Sequence, residues 1–147
     1  MIKKDSSKVT GSVNVVVRGE DGAVKQEFTV PNLVVDSGLA FIASRMKDTS
    51  DAVMSHMAVG TDNTAADAGD TTLGTEIARV ALTSTTVTDN AVAYVASYPA
   101  GTGTGALTEA GIFNDVAAGT MLCRTVFAVI NKGAADSMTV TWTVTIS

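Results

Sequence analysis

The residues of this chain that could do chemistry are few. His56 is the single histidine and Cys123 the single cysteine. A Ser-His-Asp or Cys-His arrangement would have to use His56, whose flanks, MSHMAV, read as an ordinary strand. One imidazole and one thiol cannot supply the nitrogen and sulfur ligands of a zinc site. Cys123 lies in the apolar run MLCRTVF and reads as a small buried hydrophobe with no disulfide partner in its own chain. Among the carboxylates, Glu109 in LTEAGIF is set between apolar neighbours, and Glu76 is the other glutamate outside the N-terminal hairpin. Glycosidase chemistry would need these two to face each other across a cleft. A structural role is the better reading, because a buried carboxylate must be satisfied by backbone N–H groups or by an arginine. Arg79 in GTEIARVAL and Arg124 in MLCRTVF are the candidate partners, so Glu76, Arg79, Glu109 and Arg124 form the candidate structural ion-pairing set. Asp62, Asn63, Asp67 and Asp70 could offer oxygen ligands to calcium, but their spacing does not match an EF-hand loop, and a solvated acidic loop is favoured. The glycines of GTGTG at 101–105 are followed by neither a P-loop lysine nor a dinucleotide-type strand-turn-helix unit. No catalytic residue, cofactor or metal is expected.

The elements that must position these side chains are mostly strands. Val13, Val15 and Val17 alternate with Ser12, Asn14 and Val16, Gly19–Gly22 supplies a turn, and Val24, Gln26, Phe28 and Val30 resume the alternation as a hairpin. Asp36 or Ser37 offers an N-cap for a helix from Ser37 to Lys47, with Leu39, Ile42, Ala43 and Met46 as its apolar stripe. Val53–Val59 reads as a strand, and the segment after it, GTDNTAADAGDTTLGTE, as a long loop of the kind that is often functional or packs on a partner. Arg79–Thr88 and Ala91–Tyr98 flank Asp89-Asn90 as a second hairpin, and PAGTGTGA forms a flexible connection. Beyond it come a stretch ending at Ile112-Phe113, a turn from Asn114 to Gly119, a strand from Met121 to Ile130, and a last strand. In that strand Met138, Val140, Trp142, Val144 and Ile146 share one face, with threonines on the other. About eight strands and one short helix predict an all-β fold, an antiparallel β-sandwich or a jelly-roll-like barrel.

Composition bounds the function. A chain of 147 residues is expected to form a single β-domain over 1–147, with a short basic N-terminal arm at 1–9. Hydrophobic residues make up 46%, charged residues only 17%, and mean hydropathy is +0.27, so disorder is excluded and an assembly that covers apolar surface is favoured. A net charge of −5 argues against nucleic acid as a partner. No apolar run is long enough to span a membrane or serve as a secretory signal, so the chain is expected to be made in the cytoplasm and not secreted by a signal peptide. Charge is uneven: Lys3, Lys4 and Lys8 open the chain, whereas no Lys or Arg falls between Lys47 and Arg79, where Asp62, Asp67 and Asp70 lie. These two regions are candidate partner contacts, which could meet in different subunits.

The motifs PNLVVDSGLAFIA, MAVGTDNTAADAGDTTLGTEIARVAL, YPAGTGTGALTEAGIFN, GTMLCRTVF and DSMTVTWTVTI, in that order, resemble small tailed-bacteriophage virion proteins and related segments of phage tail-fibre proteins. The resemblance covers nearly the whole chain from Pro31. It implies a structural protein of the virion, made in the host bacterial cytoplasm. Capsid decoration or cement proteins are small chains that tie neighbouring capsid subunits together, while tail-fibre and baseplate proteins are usually longer. A chain starting at Met1 and forming one domain therefore favours a cement protein on the capsid surface, with the major capsid protein and copies of itself, as dimer or trimer, for partners. The alternative is a tail-fibre or baseplate structural or adhesin protein. A carbohydrate-binding module that stacks sugars on Trp142, Tyr94 and Tyr98 belongs to a third class; Trp142, with aliphatic same-face neighbours, reads as core.

Overall fold

The computed structural model describes residues 8–47 and 51–147. Ten strands and one helix follow one another as β1 (Val9–Arg18), β2 (Val24–Pro31), β3 (Leu33–Val34), α1 (Asp36–Ser44), β4 (His56–Gly60), β5 (Glu76–Ala81), β6 (Ser84–Thr88), β7 (Ala91–Tyr98), β8 (Gly105–Phe113), β9 (Met121–Lys132) and β10 (Ser137–Ile146). They form two five-stranded sheets, ordered β2-β1-β10-β7-β6 and β3-β9-β8-β4-β5. Every strand pairing is antiparallel. The chain is an all-β sandwich with one short helix.

The period-2 pattern decides which side chains enter the space between the sheets. From the first sheet come Val13, Val15 and Val17 of β1, Tyr94, Ala96 and Tyr98 of β7, and Met138, Val140, Trp142 and Val144 of β10. From the second come Met57 and Val59 of β4, Leu107, Ala110 and Ile112 of β8, and Cys123, Phe127 and Ile130 of β9. Ile146, assigned by alternation to the buried face of β10, is instead exposed at the end of its strand. The β1–β2 turn closes with Gly22 at φ 81°, and the β6–β7 turn places Asp89 at φ 52°, a left-handed conformation that aspartate tolerates.

Five expectations are corrected. The run 79–88 is not one strand: β5 pairs with β4 in the second sheet, β6 pairs with β7 in the first, and the chain crosses between the sheets at Leu82-Thr83. The strand expected over Val53–Val59 begins only at His56. The helix runs from Asp36 to Ser44 and buries Gly38 and Phe41, with Ile42 packed on the core, while Leu39, Ala43 and Met46 face outward. Its seat is set by Gly38, where any Cβ would collide with the backbone carbonyl of Leu122, and by Ser37, whose Oγ donates to the Met121 carbonyl at 2.8 Å. The N-cap position is Val35, without a side-chain cap. The PAGTGTGA connection is tied down, with the Gly101 N–H donating to the Ala134 carbonyl and Lys132 Nζ to the Pro99 carbonyl.

Candidate functional site

The outer face of the second sheet carries small residues on two adjacent strands, β4 and β8, flanked by Glu109 and Arg124. Ala58 pairs with Gly111, which pairs with Arg124, and Gly60 pairs with Glu109. Above these residues lies the loop 61–75, which joins β4 to β5. Leu73 packs from the loop into a second, smaller core with Val35, Ala58, Phe113 and Met121. A Cβ at Gly60 would collide with the carbonyl of Thr75 and the carboxylate of Glu109, so the close approach of loop to sheet requires glycine there.

Glu109 is fully buried and organises the loop. Its Oε2 accepts the backbone N–H groups of Asp62 at 3.0 Å and Thr75 at 2.8 Å; its Oε1 accepts that of Gly74 at 2.8 Å. Arg124, also buried, donates from Nε and Nη2 to Oε1 at 3.2 and 3.1 Å. The remaining nitrogen of that guanidinium, Nη1, donates to Asp70 Oδ2 at 3.0 Å, and the same oxygen accepts the Asp67 N–H at 2.9 Å. One buried carboxylate thus closes both ends of the loop, and one buried arginine fastens its middle. The helix start adds a further tie, with the Asp36 N–H donating to the Ala68 carbonyl at 2.8 Å.

The loop's other carboxylates shape it from within. Asp62 Oδ1 accepts the Thr64 N–H and Asp67 Oδ1 the Gly69 N–H, each at 2.8 Å, as turn-forming contacts. The hydrogen bonds from Thr64 hold the Asp62 carboxyl below its ordinary range. No group of three or more His, Cys, Asp or Glu among the described residues is placed to hold a metal.

The four ion-pairing candidates resolve into two separate pairs. Glu109 takes Arg124, whereas Arg79 takes Glu76 through two bonds, Nε to Oε2 at 3.0 Å and Nη2 to Oε1 at 2.7 Å. Arg79 also donates to the carbonyls of Asp115 and Ala118 and stacks 3.9 Å above the Phe113 ring, so it pins the β8–β9 turn. The two glutamates do not face each other across a cleft. Asp70, expected on a solvated acidic loop and as a candidate partner contact, is instead tied into the buried network, because the loop's return over the sheet brings it to Arg124. Lys8 is exposed at the start of β1, where its backbone pairs with Ser147, and it makes no ion pair with the loop aspartates among the described residues. Lys3 and Lys4 lie outside the described residues.

The aromatic candidates for sugar stacking are interior: Trp142 and Tyr98 are fully buried and Tyr94 nearly so. Tyr98 donates its hydroxyl to the Met57 carbonyl at 2.7 Å, and burial raises the phenol of Tyr94 to about 12 and that of Tyr98 further. Burial likewise pushes the Cys123 thiol far above its usual range, which removes it as a nucleophile. His56 Nδ1 lies 2.8 Å from Ser55 Oγ, and among the described residues no carboxylate hydrogen-bonds the ring. No helix among the described residues is long and apolar enough to cross a membrane. What the arrangement can do chemically is hold a shape: an acidic surface loop fixed from below by a buried ionic clamp. Comparison with family models, with curated proteins and with solved structures found no match for the chain.

Proposed function

We propose that this protein is a structural component of a tailed-bacteriophage virion, a capsid decoration or cement protein that binds the major capsid protein on the outside of the head. The observation that carries the reading is the clamped loop. Loop 61–75 presents Asp62 and Asp67 on a surface whose backbone is already immobilised by Glu109 and Arg124, so docking does not have to order it. Such a pre-ordered acidic loop fits a basic, folded partner surface. The resemblance of the motifs to phage virion proteins supplies the kind of partner.

The mechanism is mechanical. A rigid two-sheet domain contributes loop contacts at one place and its basic N-terminal segment at another, and a lattice of such molecules detaches only when many weak contacts are lost together. The test is to mix purified protein with capsids that lack it, pellet the capsids, and heat them while following DNA release. Saturable co-sedimentation with a raised release temperature is the expected result, and Asp62→Asn/Asp67→Asn, which removes both charges while keeping a side-chain oxygen to accept the Thr64 and Gly69 N–H groups, should weaken it. Absence of binding to capsids, with the protein recovered in tail fractions, refutes this reading in favour of a fibre or baseplate role.

A further inference from the structure

A β-sandwich has four edge strands, and here they are not equally protected. β3 is two residues long. β2 carries Lys25 and Glu27 and ends in Pro31, and its pairing with β1 is interrupted by a register shift. β5 carries Glu76 and Arg79, with a shift at Val59/Gly60 in its pairing with β4. Shortness, charge, proline and bulges are the devices that stop an edge from recruiting another strand. β6, Ser-Thr-Thr-Val-Thr, is five residues long and carries no charge, no proline and no register shift. It is exposed along its whole length, pairs in regular register with β7, and offers the N–H and C=O groups of alternate residues to whatever lies beside it.

The inner side of the same strand is also uncovered. Thr85 and Val87 pair with Tyr94 and Val92 of β7, and these four line a groove of about 380 Å³ whose opposite wall includes Phe41 and Val53. Val87 and Val53 are 68% and 61% exposed, so the apolar interior of the sandwich runs out to solvent at this edge.

We infer that two copies of the chain associate through the outer edge of β6, as a two-fold dimer in which the sheet β2-β1-β10-β7-β6 continues antiparallel into its partner. Self-complementarity selects a second copy as the occupant: the strand can pair with itself about a two-fold axis without setting like charges opposite each other. At a net charge of −5 two copies repel in most orientations, but the stretch from Leu82 to Thr88 is uncharged. With the axis at Thr86, each Val87 meets a Thr85 and each Asp89 a Thr83, so no like charges oppose one another. Val87 of one copy then extends the apolar floor of the other's groove, and isologous pairing uses up both free edges, closing the assembly at two. The inference concerns self-association and stands apart from the proposed capsid partner.

The test is sedimentation equilibrium on the full chain with no capsid present, at about 100 μM, where contacts of micromolar strength are saturated. The wild type is expected at twice the 15.0 kDa chain mass. Thr86→Lys sets two ammonium groups directly across the axis on an exposed residue, and it is expected to raise the dissociation constant about tenfold or more with an unchanged far-UV spectrum. Thr86→Cys is expected to form an intermolecular disulfide under mild oxidation, with Cys123 buried and inert. A monomeric wild type, a trimer, a dimer indifferent to Thr86→Lys, or a Thr86→Cys protein that does not cross-link each overturns the inference.

Discussion

Replacing Glu109 by glutamine exchanges one oxygen for an NH2 group at the centre of the loop clamp, with almost no change of shape. The native carboxylate accepts five hydrogen bonds, three from backbone N–H groups and two from Arg124. An amide cannot serve them: whichever way it is turned, its NH2 faces either the Asp62 and Thr75 N–H groups or the Gly74 N–H and the guanidinium. Each buried N–H left without an acceptor costs about 1–3 kcal/mol. In either orientation Arg124 loses its buried counter-charge, and in the second it keeps only its bond to Asp70, which is partly open to solvent; breaking one side of a buried pair costs about 3–5 kcal/mol. These contributions describe the same broken contacts and do not add, so a total of about 3–5 kcal/mol is expected. For a chain of this size that lowers Tm by roughly 6–20 °C. Thermal and urea unfolding measure the loss, and amide hydrogen exchange locates it, with protection falling at Asp62, Gly74 and Thr75 while β10 in the other sheet is spared. The double variant Glu109→Leu/Arg124→Met separates the clamp from a simple buried ion pair. An isolated pair is often replaced by apolar residues without loss. Here the three backbone N–H groups would still lack an acceptor, so the double variant should stay destabilised. A loss below about 1 kcal/mol for Glu109→Gln, within the range of an ordinary surface pair, refutes the argument.

Three other outcomes follow from the same contacts. Gly60→Ala drives a methyl into the Thr75 carbonyl and the Glu109 carboxylate, and should cost about 1–3 kcal/mol in denaturant unfolding, as overpacking does. Tyr98→Phe removes the hydroxyl that satisfies the Met57 carbonyl and should lose about 1–2 kcal/mol, read in the same assay. Asp136, bonded by Lys25 and the Gly133 N–H, has its carboxyl held below the ordinary 3.8. A depressed folded-state value means that its stabilisation is present above the unfolded value and is lost as pH falls through the folded one. Asp136→Asn should therefore lower stability at neutral pH and flatten the decline below about pH 4, followed by Tm against pH.

What could be read along the chain and what could not divides by the range of the interaction. The alternation in β10 placed Met138, Val140, Trp142 and Val144 in the core because a half-buried strand writes its environment into every second residue. The same periodicity hid the break at Leu82-Thr83. Alternation continues through the crossing from one sheet to the other, with no glycine or proline to mark it, since the change of sheet is a matter of which neighbour each strand finds. The helix starts one residue before its expected boundary and ends three residues short of it, and of its expected stripe only Ile42 packs on the core. Gly38 is buried because the helix must approach the Leu122 backbone, a demand made by β9 and invisible in helical spacing.

The clamp shows the same division within one site. A carboxylate in LTEAGIF and an arginine in MLCRTVF announce that each needs a partner, because neither charge is tolerated alone in an apolar run. That they choose each other depends on register: Glu109 lies opposite Val126 and Gly111 opposite Arg124, so the two are diagonal neighbours on one face of β8 and β9. That Asp70 completes the network depends on the loop folding back over Gly60, Ala58 and Gly111, small residues that in sequence read only as weak strand formers. The small side chains admit the loop, the loop's N–H groups require an acceptor beneath them, and burial of that acceptor requires Arg124. Removing any one of these leaves the other two unsatisfied, which makes the surface carried by the loop a property of the whole outer face of the sheet rather than of the loop's own sequence.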